Sequence, residues 1–572
     1  MKKLFKSKTF LGALLSIALC VSLIAGATFA IFTSEANVNI AVTSGTVKVD
    51  AKADKLTLYS PTAIDRDGNV LDDENAATAN NFSNGGSALL SGNTLTLDNI
   101  TPGDRADFQI TLSNLGNVKT LYRYGYAVKP LTGDDLTEAK KLYSVLEFKL
   151  EEVETKKYAS YMTAWSEFTE SKTLNISVGM SAAADSDYAG LSAKIVFTVE
   201  AVQGNVAVGT GEQFEIADEQ GFMNAIDMIN KSEESSATLV LASDMELSDI
   251  NGTSIAIAED KDVTIDLSGK NLTLKNDKTD GITVNSGATL TLANSKTTGT
   301  YTFDSAASQS DGFFVSSSEE GKTTTLNITG NVDINVAANA NSAIHAYAPK
   351  GNAVVNIDGA TVNITGAKQT SAIVMDQNAM LNIRNATVNV SADFDSYSDN
   401  NDVVGILLWG ENGKQENISV NIGDGAVINV GGKNAFAQGI QIGMKNGDSE
   451  SVVATMNGGE IILNPTENGK GYAFTAYKAS YGKFIMNGGK ISGNVNAIAM
   501  AYIADTVYLT VTGGVVESNA SESSFMYSNF PTDENGIYGV VTGGTFAIDP
   551  SDYLAEDYKA TESNGVWTVT KA

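Results

Sequence analysis

The sequence predicts an all-β chain of two domains, the larger and C-terminal of which is a parallel β-helix. Three observations carry that expectation. MNGGEI (456–461), MNGGKI (486–491), VTGGVV (511–516) and VTGGTF (541–546) repeat one another, with glycine pairs beginning at Gly458, Gly488, Gly513 and Gly543. Offsets of 30, 25 and 30 residues between units built of short β-runs describe turns stacked strand on strand. Upstream, NIDGATVNI (356–364), NIRNATVNV (382–390) and NIGDGAVINV (421–430) alternate apolar residues with Asn or Thr at strand period. Finally, six segments align without gaps on a small residue followed by Ile or Phe: Ala343-Ile344, Ala372-Ile373, Gly405-Ile406, Gly439-Ile440, Ala473-Phe474 and Ala497-Ile498.

The chain begins with MKKLFKSK, and residues 9–27 are almost wholly apolar or small, so residues 1–30 read as a secretory signal with cleavage after Ala30. Cys20, the single cysteine, falls inside that run; Leu19 stands before it where a lipoprotein needs a small residue. The mature chain is therefore expected to be free of cysteine, without disulfides or lipid. Its C-terminus carries neither a sortase motif nor a basic tail, so a covalent tether is not expected. Residues 31–572 carry 34 basic and 67 acidic side chains, a surplus that excludes nucleic acid and anionic membranes as partners.

Residues 31–208 form the first expected domain. Pro102-Gly103 is a turn between alternating strands, the pattern of an antiparallel sandwich. Residues 130–171 break the even strand spacing and contain a helical pattern in DDLTEAKKLY, which reads as an insertion. Three blocks, ATFAIFTSEANVNIAVTSGTVKVD (27–50), LDNITPGDRADFQITLSNLGNVKTLYRYGY (97–126) and AKIVFTVEAVQGN (193–205), resemble the TasA and camelysin family. The resemblance implies a jelly-roll sandwich and an extracellular, fibre-forming role in a biofilm matrix. It also implies that the strand after the cleavage site, with Val38, Ile40 and Val42 on one edge, is donated to a neighbouring subunit. Some members of the family are labelled metalloproteases. This chain has one histidine, His345, and it lies in the other domain, so zinc proteolysis is not expected and no metal or cofactor is assigned. Asp65, Asp67 and Asn69 have the opening spacing of a calcium loop, but glycine falls at 68 and alanine at 76, which favours an acidic turn.

Residues 212–572 form the β-helix. An open coil exposes unpaired backbone at each end and needs caps. Asp218 is placed to cap a helix over 218–231 whose Phe222, Ile226 and Ile229 share one face, a lid for the N-terminal end. TFAIDPSDYLAEDYKATESNGVWTV (545–569) breaks the repeat and resembles the segment that ends β-helices in surface adhesins of Gram-positive gut bacteria, implying a right-handed, pectin-lyase-like coil. In the aligned strands Ile344, Ile373, Ile406, Ile440, Phe474 and Ile498 should face inward at period two, together with Ala346, Met375, Leu408, Ile442, Ala476 and Met500. That leaves two outward stripes. One is His345, Val374, Leu407, Gln441, Thr475 and Ala499; the other is Tyr347, Asp376, Trp409, Gly443, Tyr477 and Ala501.

The second stripe supplies the candidate ligand-binding residues Tyr347, Asp376, Trp409 and Tyr477, since planar aromatics on a rigid sheet stack on sugar rings. The same aromatics would also serve cross-strand packing. β-Helices scaffold polysaccharide lyases and glycoside hydrolases too, and those need paired carboxylates or a basic proton acceptor. Asp376 and Glu411 are the best placed carboxylates, with Lys433 or Arg384 as cations, yet none sits in a motif, and His345 reads as an ordinary rung residue. The expectation is a secreted surface or matrix protein without catalytic residues. Its partners would be further copies of itself, matrix proteins, carbohydrate or a host surface; a polysaccharide-processing enzyme is the alternative.

Overall fold

The computed structural model describes residues 49–572 except 65–69, 76–79, 84, 116–119, 132–140, 143, 152, 157–159, 169, 189, 204–210, 232–234, 249–253, 277, 306–309, 337–340, 367–368, 399, 410–416, 444–451, 477–480, 494–497, 501–505, 518–525 and 529–538. The signal segment with Ala30, the candidate donor strand with Val38, Ile40 and Val42, the Asp65–Asn69 run, Glu411 and Tyr477 lie outside the described residues. The chain divides into two units between Glu215 and Ile216.

The first unit is a sandwich of two antiparallel sheets. One has six strands in the order Val70–Asn75, Val49–Ile64, Arg105–Asn114, Ser171–Met180, Leu146–Leu150, Val153–Lys156. The other is built from Ser87–Ser91, Thr94–Ile100, Leu191–Gln203 and Thr120–Lys129, with the short strands Ser160–Met162 and Ser166–Phe168 at its side. Inward residues of the two sheets meet in the core: Phe108 packs edge-on against Phe197 at 5.0 Å and Tyr126 stacks on Phe148. The Pro102-Gly103 turn carries the chain from one sheet to the other. Gly103 takes a φ of 88°, and the buried Asp104 carboxylate accepts hydrogen bonds from the Thr101 amide and hydroxyl at 2.9 Å and from the Ser60 hydroxyl at 2.8 Å. Residues 130–171 are more than an appended insertion, because their described strands extend both sheets. Lys141 and Leu142 are helical; most of the expected helical pattern lies outside the described residues.

The second unit is a parallel β-helix with three faces. A representative turn runs through Asn352–Asp358 on the first face, Thr361–Gly366 on the second and Thr370–Asp376 on the third, and each strand pairs in register with its equivalents in the turns before and after. The third face has eight strands in one parallel sheet. Ile344, Ile373, Ile406 and Ile440 stack in one fully buried column, which Phe474 continues. The small residue before each of them is buried as well. A Cβ on Gly405 would stand 2.6 Å from both the Gly439 carbonyl and Ile428 Cγ2, so bulk is excluded there by the backbone of the next turn.

The same logic explains the glycine pairs. The second member adopts the left-handed region, with φ of 73° at Gly459 and 82° at Gly489, where a side chain is strained. A Cβ on the first member, Gly488, would come within 2.5 Å of the Asn457 carbonyl in the turn before. Outside the core, the strand asparagines form two ladders of side-chain amides. Asn356, Asn382 and Asn421 each donate to the preceding Asn at 2.9 Å on the first face, and Asn363, Asn389 and Asn429 do so at 2.7 to 2.9 Å on the second.

Both ends are closed. The helix Glu219–Lys231 buries Phe222, Ala225, Ile226 and Ile229, and the Asp218 carboxylate accepts from the Gly221 amide at 2.8 Å as its N-cap. Near the helix C-terminus the Asn230 amide donates to the Ala256 carbonyl and accepts from the Ala258 amide. Ala256 belongs to the first strand of the third face, Ile255–Ile257, and Ala258 follows it directly, so the side chain pairs the sheet edge as a neighbouring strand would. At the far end, the hairpin of Tyr558–Ser563 and Val566–Lys571 turns at Asn564-Gly565 and adds antiparallel to Thr545–Phe546, placing Trp567 opposite Phe546.

Candidate functional site

The outer side of the third face carries the candidate residues. In-register pairing places Phe314, His345, Val374, Leu407, Gln441 and Thr475 in one column, and Ser316, Tyr347, Asp376 and Trp409 in the next. Outward orientation does not mean exposure here. Val374, Asp376, Gln441 and Thr475 are buried, contrary to an open binding stripe. The reason is partly local packing. Phe436 and Tyr472 pack edge-on at 5.4 Å into a small separate cluster, Tyr397 packs against it from the 393–401 segment, and Lys470 sits 4.9 Å above the Tyr397 ring. Gln438 donates to Asp402 at 2.7 Å and accepts from the Thr475 hydroxyl, so the last two strands of this sheet, Phe436–Ile442 and Lys470–Ala476, carry a buried polar layer. The accessible part lies around Phe314, His345, Tyr347, Leu407 and Trp409, all half-buried.

In that part a charged cluster has formed around the single histidine. His345 Nδ1 lies 3.0 Å from Asp311 Oδ2 in the preceding turn, and its Nε2 lies 3.9 Å from Asp376 Oδ2 in the following one. The second distance is that of an ion pair and too long for a hydrogen bond. Asp311 is fixed from its other side by the Ser342 hydroxyl at 2.6 Å and the Asn341 amide at 3.2 Å, while its own backbone amide donates to Asp280 Oδ1 at 2.8 Å. Burial alone would lower the imidazole pKa. The carboxylates of Asp311 and Asp376 outweigh it and hold the value at about 9, so His345 is an imidazolium at neutral pH. Burial also pushes the Asp280 carboxyl above the usual carboxylate range.

Aromatic rings border the cluster. Phe314 meets the His345 ring edge-on at 5.3 Å and lies nearly parallel to Tyr347 at 6.5 Å. Together they form an apolar shelf with buried charge at its side. Tyr347, Asp376 and Trp409 are thus brought together as neighbours in one column, whereas Lys433 pairs with Glu467 at 3.2 Å and Arg384 with Asp358 at 2.8 Å, away from this shelf. Among the described residues no three His, Cys, Asp or Glu side chains are grouped to hold a metal ion.

Sequence reasoning missed Asp280, Asp311 and Phe314. The signal was present, because Gly281-Ile282 and Gly312-Phe313 repeat the small-then-apolar pair and carry the alignment two turns upstream. An Asp precedes the glycine in both copies.

The arrangement limits the chemistry. Ser342 donates to Asp311 rather than to His345, so its hydroxyl is not paired with the imidazole as a triad nucleophile would be. The His345 ring lies between Asp311 and Asp376, within ion-pair distance of both.

No family model matches this chain, and no curated protein does. Among solved structures, the catalytic domain of a GH87 α-1,3-glucanase in complex with nigerose is similar at 11% identity, covering 78% of this chain and 91% of that one with a TM-score of 0.22. A likeness that slight carries no argument about activity.

Proposed function

We propose that this chain is an extracellular surface or matrix protein that holds carbohydrate on the third face of its β-helix without cleaving it. The observation that carries the reading is the shelf of Phe314 and Tyr347 set beside Asp376 and Trp409 on a rigid sheet. Aromatic faces accept the C–H face of a sugar, and the buried Asp376 and Asp311 hold His345 in place beside them. The test is binding of the wild-type protein to an array of neutral and acidic oligosaccharides, followed by the variants Tyr347→Ala and Trp409→Ala. Each variant is expected to weaken binding about tenfold while the thermal midpoint stays within a few degrees. Unchanged affinity in both would remove the shelf from the account.

The extracellular setting rests on the signal-like N-terminus and on the blocks that resemble the TasA and camelysin family. On the same basis residues 31–42, with Val38, Ile40 and Val42, would join one copy to the next. Deleting them is expected to leave a monomer in light scattering; a strictly monomeric full-length mature protein would sink that idea.

A second reading, a glycoside hydrolase, is favoured by one observation. The raised Asp280 carboxyl beside Asp311 has the character of a general acid. Its discriminating result is released sugar product.

A further inference from the structure

The first unit carries a groove of about 480 Å³ on the outer side of its six-stranded sheet. Its floor is two polar rungs, the first crossing four strands and the second two. Thr57, Asp107, Ser177 and Lys149 are register partners in one, and Gln109 and Asn175 lie opposite each other in the next. The sheet is irregular at this point. The pairing slips between Asp54 and Thr57, Lys55 takes a φ of 60° in the slipped segment, and across the groove Glu151 takes a φ of 57°. Both residues line the cavity, so its two walls rise where the chain leaves regular strand geometry.

The charges inside are unequally satisfied. Asp107 is taken up by Arg105, whose Nε lies 3.2 and 3.3 Å from its two oxygens and whose guanidinium stacks 4.3 Å above Tyr59. Glu151 accepts from the Asn175 backbone amide at 2.7 Å. Lys55 and Lys149 are exposed, and neither has a carboxylate partner among the described residues. Their strands are three inter-strand spacings apart, about 14 Å. The remaining polar lining groups are the Thr57 and Ser177 hydroxyls and the Gln109 and Asn175 amides, Gln109 Nε2 donating to Asn175 Oδ1 at 2.9 Å, and Tyr59, Phe108 and Ile176 complete the lining; such a mixture suits a polyol.

We propose that this groove binds an extended polyol chain bearing regularly spaced anionic groups, with Lys55 and Lys149 each taking one anion and the Thr57, Ser177, Gln109 and Asn175 side chains taking hydroxyls. The site is separate from the β-helix shelf and stands whether or not the shelf binds sugar.

The experiment is calorimetric titration of the full mature protein with three probes: oligogalacturonate, polyglycerol phosphate oligomers and neutral dextran oligomers. Binding of at least one anionic probe, weakening as salt is raised, is expected, and which of the two binds identifies carboxylate or phosphate as the anion. The double variant Lys55→Gln/Lys149→Gln should bind that probe at least tenfold more weakly, and Lys55→Arg/Lys149→Arg should keep most of the affinity. Both lysines are exposed, so an unaltered thermal midpoint certifies the fold of each variant. Failure of both anionic probes to bind, or equal affinity in wild type and the double Gln variant, would overturn the proposal.

Discussion

Ile406→Asp is expected to open the β-helix and leave the sandwich folded. Ile406 is fully buried, with Ile373 before it and Ile440 after it in the same column. A carboxylate there loses the apolar burial of the isoleucine and gains an unpaired charge or a protonated, poorly satisfied acid. The cost should be about 4 kcal/mol or more, large against the marginal stability of a domain. Because turns contact only their neighbours, the damage should begin at that turn and spread along the coil. The control is the next residue. Leu407 points outward and is half-buried, so Leu407→Asp should cost a small fraction as much. Limited proteolysis with mass mapping separates the two: new cleavage within residues 216–572 for Ile406→Asp, and little change for Leu407→Asp. Equal sensitivity of the two variants would contradict the inward assignment.

The second large effect belongs to His345. Its folded pKa of about 9 lies above the unfolded value of 6.5, so the imidazolium is bound more tightly in the folded state. A raised pKa contributes stability that is complete below pH 6.5 and disappears as the pH climbs through 9. The side chain is 21% exposed, and the shift corresponds to about 3 kcal/mol at full strength. Burial opposes the shift, but the groups that face it are Asp311 and Asp376, with Asp280 one step further, all acidic, and together they outweigh it. Denaturant unfolding of wild type and His345→Gln from pH 6 to 10 should therefore give a gap near 3 kcal/mol at pH 6 that closes by pH 10. A gap independent of pH would mean that His345 contributes packing alone.

Much of this was legible in the sequence because parallel coils read their own register. Ile373, Ile406 and Ile440 could be placed in one column from period two and a recurring small residue, and Asp218 marked the helix start by its chemistry. What escaped depended on contacts that periodicity does not encode. The burial of Gln441 and Thr475 reflects the Asp402–Gln438 contact and the cluster of Phe436, Tyr472 and Tyr397, the last of which sits in a segment between strands that no repeat describes. Similarly, Leu146–Leu150 has a clean alternating burial pattern, but its place beside Ser171–Met180 is a long-range pairing. The Asp311–His345–Asp376 bridge spans three turns, and only stacking the turns brings it together.

On the proposed function, the third face holds carbohydrate without breaking it. The most direct measurement incubates the purified mature protein for days with a panel of polysaccharides, including α-1,3-glucan and polygalacturonate, and quantifies both bound polymer and newly released reducing ends or unsaturated uronate. Retained binding to at least one polymer with no product above a protein-free control is the expected result. Product that accumulates with wild type and disappears with Asp280→Asn or Asp311→Asn would contradict it and establish a polysaccharide-cleaving enzyme.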